Sequence, residues 1–113
     1  MTARNLLTDA PPYEVEQAIT RLGRDLRTAR LRRNLTIKEV AAKIGTGRRA
    51  VMDAEKGKLS TGIAVYAALL WTYDLMRPFS ALADPLADSD GLVLDKLSGR
   101  ERARSGKGLD NDF

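Results

Sequence analysis

From Leu35 to Lys58 the chain reads LTIKEVAAKIGTGRRAVMDAEKGK, and the punctuation of this stretch leaves it little conformational freedom. Thr36 can cap a helix, and Glu39 stands three residues later, where its carboxylate can accept from the N–H of the cap. Leu35 and Val40 bracket this capping box as a hydrophobic staple. Gly45 supplies the residue that takes φ > 0 just past the helix end. After Gly45-Thr46-Gly47 a second short helix is expected from about Arg48 to Lys56, closed by Gly57. Val40, Ala41 and Ile44 on the first helix, and Ala50, Val51 and Ala54 on the second, form the inward sides.

The flanks read the same way. Pro11 and Pro12 suit a helix start, and Glu14 and Glu16 meet the positive end of its dipole. Val15, Ile19, Leu22, Leu26 and Ala29 then recur at alternating steps of four and three, one apolar stripe on a helix from about Tyr13 to Arg33 that Asn34 ends. Beyond Ser60-Thr61-Gly62, Ile63, Tyr66, Leu69, Leu70 and Tyr73 mark a fourth helix, and Phe79 and Leu82 a short fifth over about 78–83. The expected fold class is therefore all-α. A flexible leader (1–12) precedes the helical domain (13–84), and an acidic linker (85–97) follows it. Within the linker, Asp88-Ser89-Asp90-Gly91 is turn chemistry; we read Leu92-Val93-Leu94 as a short strand, the start of a helical turn being the alternative. Residues 98–113 are polar, Gly-rich and without periodicity, and are expected to be a disordered tail.

Composition removes most alternatives. There is no cysteine and no histidine, which removes thiol nucleophiles, disulfides and zinc knuckles as well as the commonest general base and metal ligand. A non-enzyme without metal or cofactor is expected. The first residues hold no apolar core for a signal peptide and no apolar run reaches the ~18 residues of a membrane span, so the expected location is the cytoplasm and no membrane contact is foreseen. Gly45-Thr46-Gly47 resembles a phosphate-binding loop only in composition, and the paired Asp110 and Asp112 have no partner base. Charge is uneven: residues 1–58 carry thirteen Lys or Arg against seven Asp or Glu, and residues 59–97 two against five. A basic front beside an acidic later segment fits a nucleic-acid face next to a separate interaction region.

Two short helices on a tight glycine turn form the layout of a helix-turn-helix, whose second helix can enter the major groove of double-stranded DNA. Arg48 and Arg49 open that helix, where a guanidinium can donate two hydrogen bonds to guanine O6 and N7. One turn on, Met52 could touch a thymine methyl and Asp53 could accept from cytosine N4, unless Asp53 pairs internally, for instance with Arg49. Lys38, Lys43, Lys56 and Lys58 suit phosphates, and the backbone amides near Ile37 and Arg48, beside Gly47, add anion contacts.

Leu26 and Arg30, Leu35-Thr36, Val40-Ala41, Ile44-Gly45, Val51, Glu55-Lys56-Gly57 and Ile63 to Leu75 together resemble the Xre or lambda-repressor-like helix-turn-helix family over residues 22–75. The resemblance implies a five-helix DNA-binding domain, a dimer on a palindromic operator, and an internal ion pair between Arg30 and Glu55. The chain departs from the family pattern at Ile37, where glutamine is frequent, at Gly47, where serine or threonine usually precedes the reading helix, and at Asp74, where glycine is usual. SALADP, the acidic linker, the basic stretch and the terminal LDNDF are similar to HipB-type antitoxins, which repress their own operon and hold a HipA-like serine/threonine kinase inactive. A stand-alone Xre-type regulator without a toxin is the alternative, and an interaction module that has lost DNA binding is a third reading.

Trp71 falls where that family usually has a polar residue, so it either folds over the fifth helix as core or is exposed. With Leu75, Phe79 and Leu82, and with Leu92, Val93, Leu94 and Phe113 further on, it makes up the expected dimer or partner surface.

Overall fold

The computed structural model describes residues 5–105. Its ordered elements are helical: α1 (Leu6–Asp9), α2 (Tyr13–Arg32), α3 (Ile37–Ile44), α4 (Arg48–Glu55), α5 (Ile63–Thr72), α6 (Met76–Ser80), a one-turn 3-10 helix (Pro85–Ala87) and α7 (Ser89–Ser105). No strand occurs among the described residues. The chain divides into two compact units between Phe79 and Ser80.

In the first unit, local signals set the helix ends. The Thr36 hydroxyl accepts from the Glu39 N–H at 3.0 Å, and Glu39 Oε1 accepts from the Thr36 N–H at 2.8 Å. These bonds hold the Glu39 carboxyl below its usual pKa. Gly45 ends α3 at φ 79°. Asn34 and Asp74 take φ 53° and 59° after α2 and α5, so Asp74 adopts the left-handed turn that glycine serves most readily. The leader is not wholly irregular: the Asn5 side chain accepts from the Leu7 and Thr8 N–H groups and starts the single turn of α1.

Leu26, Ala29, Val40, Ala41, Val51, Ala54, Tyr66, Leu69 and Tyr73 form the core, with Ile19, Leu22, Leu35, Ile37, Ile44, Val65 and Leu70 packed against it. Each fully buried Leu or Val contributes roughly 1.5–3 kcal/mol over its exposed state. Ile63, expected inside, is 71 % exposed; it sits at the first position of α5, before the turn that packs. The crossing of α2 and α4 depends on glycine. A Cβ on Gly23 would lie 2.5 Å from the Ala54 carbonyl oxygen and 2.7 Å from the Gly57 nitrogen, and one on Gly57 would lie 2.6 Å from the Thr20 Cα.

The second unit corrects two expectations. Leu92-Val93-Leu94 is not a strand but part of α7, and residues 98–105 continue that helix instead of starting a disordered tail. The Asp88 side chain, read as turn chemistry, accepts from the Gly91 N–H at 3.0 Å and starts the helix. Three apolar residues had no period to reveal this, and the arginines that follow are good helix formers. The fifth helix expected over 78–83 is displaced to α6, and Leu82 lies in the turn after it. Phe113 and the rest of 106–113 lie outside the described residues.

Candidate nucleic-acid interface

The short helices α3 and α4 are set against α2 by one buried ion pair. Arg30 donates from Nε to Glu55 Oε2 at 2.6 Å and from Nη2 to Glu55 Oε1 at 3.0 Å, and its Nη1 donates to the Leu35 carbonyl at 2.9 Å. The hydrogen bond to Glu55 raises the Arg30 pKa, against the opposing effect of burial. One guanidinium thus ties α2 to the end of α4 and to the residue before the α3 cap. Both side chains are buried and engaged with each other.

On the open side, the ends of α2, α3 and α4 border a shallow groove lined by Arg30, Leu31, Leu35, Ile37, Lys38, Arg48 and Met52, with Asn34 and Thr36 at its edge. Its floor is apolar, and Lys38 and Arg48 supply its charge. Arg48, Arg49 and Lys38 are exposed and enter no ion pair among the described residues. Gly47 caps α4 with extended backbone (φ −79°, ψ 161°) and offers no side-chain acceptor, so the first N–H groups of α4 keep their donors for an anion. The arrangement combines a positive helix end, two unengaged guanidiniums and an apolar strip one turn along.

Other expected contacts fall elsewhere. Asp53 does not pair with Arg49; its side chain, 19 % exposed, faces Lys58 at 3.9 Å, and the Lys58 N–H donates to the Asp53 carbonyl. Asp53 is thus partly buried beside the loop after α4, where the Lys58 ammonium offsets its charge. Lys56 and Lys58 line a second depression with Thr8, Glu16, Thr20 and Ser60, away from Lys38 and Arg48. They belong to the far end of α4, about 12 Å along its axis.

Trp71 is not core: it is 60 % exposed, and the Lys43 ammonium sits 5.7 Å from its ring centroid. Leu75 is 40 % exposed and Phe79 half-buried on the same unit, while Leu82, Leu92, Val93 and Leu94 are exposed on the other.

Leu31 and Arg33 have roles not foreseen. Leu31 stands off the α2 stripe yet lines the groove. Arg33 donates to the Ala29 carbonyl at 2.9 Å and the Tyr73 carbonyl at 3.0 Å and lies over the Tyr73 ring at 5.5 Å, joining α2 to the end of α5. Leu31, an apolar residue outside the stripe, was the available signal for the groove; Arg33 gave none. No family profile, curated protein or solved structure matches the chain.

Proposed function

We propose that this chain is a helix-turn-helix protein of the Xre type, formed by α3, its glycine turn and α4, and that it binds double-stranded DNA as a dimeric repressor. The observation that carries this reading is the start of α4: two exposed, unpaired arginines on a helix end without a side-chain cap. Arg48 and Arg49 read guanine edges, Met52 and the apolar floor of the groove accept thymine methyls, and Lys38 and the α4 amides hold phosphate. Lys56 and Lys58 extend the phosphate track from the loop beyond α4.

Within that class we read the protein as a non-catalytic, cytoplasmic antitoxin of the HipB type that also restrains a HipA-like kinase. Its support is the likeness of the C-terminal sequence, including the terminal LDNDF. A palindromic operator follows from the dimer, with half-sites about one helical turn, ~34 Å, apart.

Selection from a random duplex pool, followed by affinity measurement across salt concentrations, tests the DNA reading. A recurring half-site and an affinity that falls steeply with salt are expected, because several phosphate contacts release counterions. An unenriched pool would contradict it. Co-purification of the neighbouring gene's product, with inhibition of its kinase activity, tests the antitoxin reading; a neighbour that does not bind leaves the regulator without a toxin.

A further inference from the structure

Helix α7 carries a face with a definite polarity. Residues 90, 93, 97 and 100 recur at steps of three, four and three, so Asp90, Val93, Leu97 and Arg100 share one side of the helix, with Leu94 at its margin. Val93 is 57 % exposed, Leu94 65 % and Leu97 51 %. Asp90 and Arg100 are exposed, and neither enters an ion pair among the described residues. The face is thus acidic at its start, apolar in the middle and basic at its end.

Such a face is complementary to itself in one direction only. Two copies laid parallel and in register bring Asp90 against Asp90 and Arg100 against Arg100, which repel. Laid antiparallel about a two-fold axis beside Asp95, each copy sets Val93 against Leu97 of the other and Asp90 against Arg100 of the other. The spacing of three and four residues is that of a coiled-coil seam, and the antiparallel alignment gives each of these four positions a compatible partner. We propose that a second copy of this chain packs antiparallel on this face of α7. The proposal rests on the dimeric reading above and gives it a surface and a direction.

The chain has no cysteine, so introduced cysteines report contacts without background. Full-length Asp90→Cys and Arg100→Cys variants are each treated with a short bis-maleimide, alone and after unfolding and refolding together. Equal positions lie about 15 Å apart along an antiparallel pair; crosslinked dimer is therefore expected in the mixture and not in either variant alone. Charge exchange supplies the second arm: Asp90→Arg weakens the dimer about tenfold, as two pairs become repulsive, and the double variant Asp90→Arg/Arg100→Asp restores it. Crosslinking of Asp90→Cys with itself, a dimer that gives no mixed crosslink, or a double variant weaker than the single one would each overturn the proposal while leaving the dimer standing. A wild-type chain that sediments as a monomer would overturn the dimeric reading itself.

Discussion

Arg30 and Glu55, 25 residues apart in sequence, meet through two hydrogen bonds between α2 and α4, and both side chains are over nine-tenths buried. Neither partner has solvent to fall back on. Removing one leaves a buried charge, which costs roughly 3–5 kcal/mol, whereas exchanging both for apolar residues costs much less. Denaturant unfolding is expected to show Arg30→Met and Glu55→Leu each severely destabilised and the double variant more stable than either single one. The Leu35 carbonyl, which loses its Arg30 donor, keeps the double variant below the parent.

Gly23 on α2 is expected to resist even alanine. Alanine favours a helix by about 1 kcal/mol over glycine, but here its Cβ meets the Ala54, Glu55 and Gly57 backbones at 2.5–2.8 Å. Backbone cannot rotate away as a side chain can, so α2 and α4 must separate. Thermal melting of Gly23→Ala should show a net loss of about 1–3 kcal/mol, the usual range for overpacking.

Much of the architecture was legible in the sequence because it is local. Thr36, Glu39, Gly45 and Asn34 act on neighbouring backbone, and those bonds set α3 and the end of α2. Leu92-Val93-Leu94 was misread because three residues carry no period and the deciding residue, Asp88, caps helices and makes turns equally well. The close approach at Gly23 was invisible, since nothing in its flanks shows which helix will cross there. At the candidate interface, Arg48 and Met52 could be placed together from their spacing on one helix. Leu31 and Ile37 join them only through the tertiary arrangement, whereas the contact of Asp53 with Lys58 is local and spans five residues. Trp71 stayed ambiguous because an aromatic on a short helix suits core and surface alike.

Tyr73 offers a test of pH dependence. Its hydroxyl is buried without a hydrogen-bond partner among the described residues, and burial raises its pKa above the ordinary phenol value, as it does for Tyr66. The folded state therefore holds these protons more tightly than the unfolded chain, so their contribution is intact below about pH 10 and is lost as pH rises above it. Tyr73→Phe removes the unsatisfied hydroxyl, a cost of about 1–3 kcal/mol, and keeps the ring beneath Arg33. Its melting temperature at neutral pH should exceed that of the parent, and its loss of stability between pH 9 and 11 should be shallower.

The reading of α4 as the base-contacting helix is tested most directly by measuring the affinity of the parent, Arg48→Ala and Arg49→Ala for the selected duplex and for a scrambled duplex of equal length at one salt concentration. Each arginine is expected to contribute roughly tenfold to a hundredfold of the preference for the selected duplex, so that each variant loses discrimination while still binding the scrambled duplex weakly. Variants that retain the parent's full preference would contradict the assignment of Arg48 and Arg49 to base recognition.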